Sequence, residues 1–435
     1  MATHRALLSL TAAVGLSAGI LATSALPAFA GAFGLREQSA EGQGMSFAGV
    51  AAGGGGLGSM FWNPATMTDY PGITSSFVLT GISPNGFIRP SPLTPTAIFG
   101  RSDTSVIKDG LVPSAYGAYQ FNDQLWLGIS INAPFGLMSK PGFTWAGQVY
   151  GRSARVFSAD VSPSAAYKIN DWISVAVGLQ IEYFKARITQ ALGILPNAPS
   201  AILDADDTGI GYTAGVTLKP TAWTEAGIGF RSTVHESLGG SLTTPAGALP
   251  IKANANLPEQ LTAGVRQVIN SEWTVLGGVE WDNWSRLGIV PVTASGFPVT
   301  AVPLKYKDGY MASLGVEYAW SPALTLRAGL AYEWSPIDLS NRTVLLPDSN
   351  RVWASVGITY HISNKLTFDG GYSHGELTSG KIQILPGSTQ FALVGLPFLA
   401  SPKHDRFDIF SASLTYRWDD TSQTIPVTQP IIRKY

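Results

Sequence analysis

Hydrophobic and polar residues alternate with a period of two along much of this chain. In residues 310–320 one face carries aromatic and aliphatic side chains, and the other carries Met311, Ser313, Gly315 and Glu317. Successive side chains of a strand point to opposite faces, so this period indicates a β-strand and not a helix. Tyr310 and Trp320 mark the ends of the apolar face. This arrangement is typical of a barrel strand that crosses an outer membrane.

Short polar turns join such segments into hairpins, for example at Asn122-Asp123 and Ser363-Asn364. The six predicted pairs are 112–121 with 124–131, 161–169 with 172–187, 212–219 with 224–231, 261–269 with 273–281, 310–320 with 324–334, and 352–362 with 365–373. One further strand fits at 73–82 and another at 407–418. The sequence therefore predicts an all-β, transmembrane antiparallel β-barrel of about 14 strands over residues 73–418, since bacterial barrels have an even strand number.

The connections on the opposite side are much longer and carry most of the prolines. Short turns at the periplasm and long loops outside are the usual asymmetry of such barrels. A soluble β-sandwich is the alternative all-β class. It does not require tryptophans at strand ends, and it rarely has as few charged residues as the 13% found here.

The N-terminus has the features of a secretory signal peptide over residues 1–30. His4 and Arg5 precede an apolar stretch, which ends in the A-x-A cleavage pattern of residues 28–30. A membrane-anchoring helix is the alternative, which Pro27 disfavours. The mature chain is then expected to begin at Gly31.

Residues 31–72 show no sustained period and contain four consecutive glycines at positions 53–56. Apolar residues such as Phe33, Phe47 and Trp62 are too frequent for a disordered tail. We therefore predict an N-terminal hatch, or plug, folded inside the lumen. The glycine run is not a phosphate-binding loop, because no Gly-Lys-Ser/Thr follows it. Residues 419–435 are predicted to form a C-terminal tail, either periplasmic or inside the lumen.

Composition excludes several classes of function. The net charge of -1 leaves no basic footprint for nucleic acid, and the absence of cysteine excludes thiolate chemistry. The histidines after the signal show neither metal-ligand spacing nor a catalytic block. We therefore predict no enzyme activity, no metal and no cofactor. An outer-membrane lipid hydrolase and a structural or adhesion barrel remain as alternatives of other classes.

Several short motifs occur in order at barrel spacing. They are Gly-Ala-Phe-Gly-Leu-Arg-Glu-Gln-Ser-Ala at 31–40, Asn-Pro-Ala at 63–65, Pro-Phe-Gly-Leu at 134–137, Val-Glu-Trp-Asp-Asn-Trp-Ser at 279–285, Tyr-Lys-Asp at 306–308, Leu-Arg-Ala-Gly at 326–329, Ser-Pro at 335–336 and Leu-Pro-Asp at 346–348. With them the chain resembles the long-chain fatty-acid transporters of Gram-negative outer membranes, the FadL family, which includes importers of aromatic hydrocarbons. The resemblance covers nearly the whole mature chain.

The resemblance implies a monomeric barrel that imports hydrophobic compounds passively through the outer membrane. In the family, extracellular loops capture the ligand, and a deeper pocket holds it. An inward kink of the third strand then opens a lateral exit into the bilayer. Long-chain fatty acids are the first expectation for the ligand, and aromatic or alkane hydrocarbons are the alternative. Outer-membrane lipid and lipopolysaccharide are the other expected partners.

Two lysines are candidate ligand-binding residues. Lys307 lies in the Tyr-Lys-Asp motif, where the resemblance implies a pocket lysine. Its parity with Met311 also predicts that it points into the lumen, where an ammonium could pair with a carboxylate. The alternative is a wall lysine paired with Asp308 or a glutamate. Lys185 corresponds to a pocket arginine of the family, yet its parity with Ile181 predicts the lipid-facing side, unless it lies at a bulge or above the membrane.

The hatch supplies the remaining candidates. The resemblance implies that Phe33 fills part of the ligand pocket, and ordinary plug packing is the alternative. The hatch motif Asn63-Pro64-Ala65 is expected to hold the hatch against the wall, unless it forms a simple Asx turn.

Charged and aromatic residues of the strands have predicted structural roles. Four lie on inward faces and are expected to brace the barrel interior: Arg327, Glu280, Glu317 and Glu333. Trp273 and Trp281 share the outward face and are expected to belong to the aromatic girdles.

Overall fold

The computed structural model describes residues 31–96 and 104–419, except for the side chain of His404. The predicted signal peptide and residues 420–435 of the predicted tail lie outside the described residues. The strands are β1 (Ile73–Pro90), β2 (Thr104–Ser105), β3 (Gly110–Gln120), β4 (Leu125–Asn132), β5 (Gly136–Ser139), β6 (Ser153–Asn170), β7 (Ile173–Ala191), β8 (Ser200–Thr221), β9 (Thr224–Arg231), β10 (Val234–Thr244), β11 (Gly247–Leu257), β12 (Gln260–Val268), β13 (Trp273–Asp282), β14 (Ile289–Ala294), β15 (Phe297–Pro303), β16 (Gly309–Ser321), β17 (Leu324–Trp334), β18 (Arg351–His361), β19 (Leu366–Leu377), β20 (Ile382–Ile384) and β21 (Phe398–Arg417).

Fourteen of these strands form a closed antiparallel barrel. In order around the wall they are β1, β3, β4, β6, β7, β8, β9, β12, β13, β16, β17, β18, β19 and β21, and β21 pairs with β1 to close the ring. Closure pairs the backbone groups of the strand edges, which a chain in lipid requires. The predicted strand number is confirmed.

The two faces of the wall follow the predicted alternation. On β16 the outward Leu314 is 69% exposed, whereas the inward Met311 and Glu317 are buried. Trp273 lies exposed on the outside, and Trp281 donates a hydrogen bond from Nε1 to Asp308 at 2.9 Å. A polar anchor of this kind suits an indole at the membrane interface.

The long extracellular connections were predicted as loops, but two of them contain regular β-structure. β10 and β11 form a hairpin, and residues 239–243 of β10 pair with residues 202–206 of β8. β14 and β15 form a second hairpin, joined to β11. The extension of β8 beyond its ladder with β9 leaves backbone groups that must be hydrogen-bonded, and the added hairpin pairs them.

Short helices account for the rest of the regular structure. They are the α-helices Ala40–Gln43 and Thr389–Val394 and the 3-10 helices Val50–Ala52, Gly56–Phe61, Pro64–Asp69 and Trp284–Arg286. None of the helices in the described part of the chain is long and apolar enough to span a membrane.

The N-terminal segment fills the barrel as the predicted hatch. Its side chains are almost all buried, including Trp62 and Asn63. Glycines of the wall permit this close packing, since a Cβ built on Gly227 or Gly229 would overlap the carbonyl oxygen of Ala51 or Trp62. Inward-facing glycines therefore let the hatch backbone lie directly against the strands.

Candidate ligand-binding site

An apolar cavity of about 190 Å³ lies above the hatch. Its lining comes from the hatch, the wall strands, both extracellular hairpins and the helix Thr389–Val394, and includes Phe33, Leu137, Val156, Phe184, Leu238, Ala253, Val290, Val302, Leu345 and Leu393. Among the described residues that line it, none is Asp, Glu, His, Lys or Arg. The polar side chains are Gln190, Thr343, Gln390 and the tyrosines 150 and 306. The cavity can therefore hold an apolar group without desolvating a charge.

Phe33 lies at the floor of the cavity, where it belongs to an aromatic cluster. Its ring centroid lies 4.8 Å from that of Trp284, 6.0 Å from Phe135 and 6.4 Å from Phe184. The contacts with Trp284 and Phe135 are edge-to-face, which is an arrangement that aromatic pairs prefer, and the contact with Phe184 is tilted. A single hatch side chain thus touches both the cavity and the wall.

Residues 31–38, which we call the hatch arm, are held beneath the cavity by charge. The guanidinium of Arg36 contacts three carboxylates: Glu333 at 2.8 Å, Asp282 at 3.0 Å, and Glu280. All four side chains are at most 10% exposed. A buried cation of this kind requires such partners, because removing it from water is costly.

A second buried network lies nearer the periplasm. Arg327 pairs with Glu317 at 3.1 Å and with the hatch residue Glu41 at 2.6 Å. The predicted bracing role of Arg327, Glu280, Glu317 and Glu333 is confirmed, and hatch residues, which no local pattern indicated, complete both networks.

The third wall strand is interrupted at residues 133–135. β4 ends before them and β5 follows them, and both pair with β6. The β3–β4 ladder covers residues 115–120 of β3, whereas residues 110–114 pair with β1 and have no ladder partner toward β4 in the described sheet. Above this level, Ile107 bridges to Ser139 of β5. We call this place the wall interruption.

The interrupted segment turns inward and bonds to the hatch arm. Leu35 N donates to the carbonyl oxygen of Pro134 at 2.7 Å, and Gly136 N donates to that of Phe33 at 2.8 Å. The hatch arm thereby takes the place of a neighbouring strand at the wall interruption.

Gln38 spans the wall interruption from inside. Its Nε2 donates to the carbonyl oxygen of Ala133 at 2.9 Å, while its Oε1 accepts from Ser114 Oγ at 2.7 Å and Asn132 Nδ2 at 3.1 Å. One fully buried amide thus joins β3, β4 and the inward segment. Sequence reasoning missed Gln38 and Arg36, although both lie within the motif at residues 31–40.

The structure does not bring Lys307 to the cavity. β16 begins at Gly309, so the alternation that predicted a lumenal direction does not extend to residue 307. Its side chain is 56% exposed, and Nζ lies 2.6 Å from Asp338 Oδ1. Tyr306, the preceding residue, lines the cavity instead.

Lys185 lies outside the barrel, on the face that its parity predicted. Phe184 and Ala186 point inward and line the cavity, so the residue between them points outward. Its Nζ lies 3.1 Å from Asp204 Oδ1 on β8. A contact with a ligand inside the lumen does not fit this position.

The motif Asn63-Pro64-Ala65 joins the hatch to the wall. Asn63 Oδ1 accepts from Ala65 N at 3.0 Å, which caps the 3-10 helix Pro64–Asp69. Its Nδ2 donates to Ala51 O at 2.7 Å and to Val216 O of β8 at 3.0 Å. The side chain therefore makes the Asx turn and a wall contact together. In residues 31–96 and 104–419, no group of three or more His, Asp or Glu is arranged to hold a metal ion.

Comparison with known proteins gives three kinds of similarity. Residues 21–391 match the family model described as outer membrane protein transport protein (OMPP1/FadL/TodX). The long-chain fatty acid transport protein of Escherichia coli (strain K12) is 26% identical over 432 residues, which covers 86% of this chain and 93% of that protein.

Solved structures share the fold. A Pseudomonas aeruginosa FadL homologue has a TM-score of 0.75 at 19% identity, covering 88% of this chain and 99% of that one. The P. putida toluene transporter TodX has a TM-score of 0.65 at 17% identity, covering 87% and 98%.

Proposed function

We propose that this chain, which belongs to the outer membrane protein transport family OMPP1/FadL/TodX, is a passive importer that binds its hydrophobic ligand in the apolar cavity. The protein is a β-barrel of the outer membrane, and its relatives are transporters of hydrophobic compounds. The observation that carries the proposal is an uncharged cavity directly above the hatch and beside an interruption of the wall.

The physical task explains this arrangement. A polar surface layer excludes apolar solutes, and a water-filled pore binds them poorly because nothing removes their surface from water. An apolar cavity removes that surface and holds the solute close to the bilayer. The ligand can then move downhill into lipid, and no energy source is needed.

We propose that the ligand portion in the cavity is neutral. An apolar cavity of about 150 Å³ stays dry and binds benzene, so about 190 Å³ suits one aromatic ring or a comparable alkyl segment. A carboxylate in the same place would lose its hydration without gaining a cation. A monoaromatic or alkane hydrocarbon satisfies both conditions.

A long-chain fatty acid is the second candidate, favoured by the 26% identical relative of that name. Its alkyl chain would occupy the cavity, and its carboxylate would have to lie beyond the lining. Lys307 is the proposed cation, because it directly follows the lining residue Tyr306. The ligand would have to compete with Asp338 for the Lys307 ammonium.

We propose that the ligand leaves through the wall interruption into the bilayer. This proposal is supported by the contacts of one residue, since Phe33 lines the cavity with its ring and bonds Gly136 with its carbonyl oxygen. Displacement of the hatch arm would release both contacts together.

Calorimetric binding of toluene and of oleate to the purified protein tests the ligand class, with Lys307→Ala and the nearby control Lys305→Ala. Toluene binding that neither variant changes, with weak oleate binding, supports a neutral ligand. Oleate binding that only Lys307→Ala weakens supports the fatty-acid alternative. Binding of neither compound would overturn the transporter proposal in favour of a structural barrel.

A further inference from the structure

Three basic residues form a cluster on the outer surface of the barrel, away from the cavity. Arg155 on β6 lies directly opposite Arg187 on β7, and Lys185 lies two residues before Arg187. The inward residues Val156, Phe184 and Ala186 of the same strands line the cavity. Side chains alternate along a strand, so Arg155, Lys185 and Arg187 face outward. We call these three residues the outer basic cluster.

The outer basic cluster lies at the upper edge of the lipid-facing surface. Below it on β7, Val177 is 66% exposed and Leu179 is 52% exposed. An aromatic pair, Phe157 and Tyr183, follows with ring centroids 6.2 Å apart. From Ile173 to Tyr183, strand rise and tilt give a height of roughly 25 Å, which is the height of the apolar band of such barrels. The cluster begins two residues higher, at the level of the lipid headgroups.

The charges of the cluster are not balanced by the protein. Lys185 Nζ lies 3.1 Å from Asp204 and 3.8 Å from Asp206, and Arg187 Nη1 lies 2.6 Å from Asp204. Arg155 is exposed and has no ion-pair partner among the described residues. It faces Arg187 across the ladder, where like charges repel. Three cations therefore face two carboxylates, and an anion between Arg155 and Arg187 would relieve the repulsion.

We propose that the outer basic cluster binds a phosphate group of a phosphorylated glycolipid in the outer leaflet, such as lipopolysaccharide. Guanidinium groups bind phosphate oxygens through paired, charge-assisted hydrogen bonds. The aromatic pair and the exposed aliphatic residues below supply the surface on which acyl chains of the same lipid lie. Cations above and apolar surface below thus match both parts of one molecule.

Another part of the outer wall provides a matched control. There Arg406 of β21 lies opposite Glu376 of β19, with Asp408 two residues further along the strand. This site has acidic groups in excess, so it should not retain a phosphorylated lipid. Arg406→Gln removes one exposed outer arginine, as Arg155→Gln does.

Native mass spectrometry of the full-length protein, titrated with lipopolysaccharide, measures the retained lipid. Arg155→Gln leaves the aspartate ion pairs intact and should lower retention roughly fivefold, the effect of one cation near a charged lipid surface. Asp206→Asn removes an anion and should raise retention by a similar factor. A folding defect cannot produce this increase. Arg406→Gln should leave retention unchanged.

Two further measurements show whether the lipid phosphates are recognised, and whether a free phosphate ion is bound in the same way. Lipid freed of its phosphates should bind the wild type and Arg155→Gln equally, and inorganic phosphate at the same concentration should not displace lipopolysaccharide. The proposal would be overturned if Arg155→Gln and Arg406→Gln lost equal amounts of lipid. It would also be overturned if lipid with and without phosphates were retained equally. Displacement by inorganic phosphate would overturn it in favour of a simple anion site.

Discussion

Phe33 and Gly136 connect the apolar cavity to the wall of the barrel. The Gly136 amide donates to the Phe33 carbonyl oxygen at 2.8 Å, while the Phe33 ring lines the cavity. The two contacts belong to one residue, so a change in the packing of the ring acts on the hydrogen bond as well. We therefore expect occupancy of the cavity and the state of the wall interruption to influence each other.

Phe33→Ala should weaken the binding of a one-ring ligand. The change removes the floor of the cavity, which the ring forms together with its contacts to Trp284 and Phe184, so the ligand loses an apolar surface to pack against. Calorimetric titration with toluene measures the loss of affinity. Phe121→Ala, at an exposed turn position, is the control and should bind as the wild type. Unaltered binding by Phe33→Ala would remove this cavity as the ligand site.

Gln38→Ala should loosen the hatch arm at the wall interruption. The loss of the amide leaves Ser114 and the carbonyl group of Ala133 without this partner, and each unsatisfied group costs about 1–3 kcal/mol, whereas Asn132 keeps its hydrogen bond to Tyr116. Hydrogen exchange should become faster in residues 31–38 and 133–136, and remain unchanged in the lower barrel. Gln124→Ala, on an exposed turn, is the matched control. If exchange in the arm stays the same, the arm is held elsewhere.

Arg36→Leu should be far more destabilising than an exposed arginine change. It leaves Glu280, Asp282 and Glu333 buried together without their cation, and breaking a buried pair typically costs about 3–5 kcal/mol. Arg286→Leu removes an exposed pair with Glu259 and should cost about 0–1 kcal/mol. Urea unfolding in detergent compares the two variants. Equal midpoints would mean that the buried network does not hold the hatch.

The hatch arm should be held less firmly in place as the pH rises. Burial raises the pKa of Glu37 to about 8, and Arg36, Glu333 and Arg351 supply the nearby charges. The pKa of Glu37 in the folded state exceeds the ordinary value of 4.5. The folded arm is therefore stabilised in full by the uncharged Glu37 below pH 4.5, and this stabilisation is lost as the pH rises through 8. Hydrogen exchange of residues 31–38, corrected for its intrinsic pH dependence, should therefore be faster at pH 9 than at pH 6. Glu37→Gln should reduce this difference, and an equal difference in the variant would assign it to another group.

Part of the candidate site follows from local patterns. The motif at residues 31–40 contains Phe33, Arg36 and Gln38, and the inward parity of Glu280 and Glu333 is visible in the sequence. The contacts between these hatch and wall residues depend on which strands the hatch packs against. No local periodicity of the sequence determines which strands those are. The lumenal direction predicted for Lys307 rested on alternation, which holds only within a strand, and β16 begins two residues later.

The sequence by itself determined the class of the protein, because strand alternation, aromatic ends and short polar turns are local properties imposed by a lipid exterior. It also determined the strand number, since each hairpin has its own turn. The tertiary structure decided where the wall is interrupted, which cavity results and which acidic residues pair with Lys185. Those features depend on contacts between residues far apart in the chain, where the hatch replaces a strand partner and extended strands pair above the membrane.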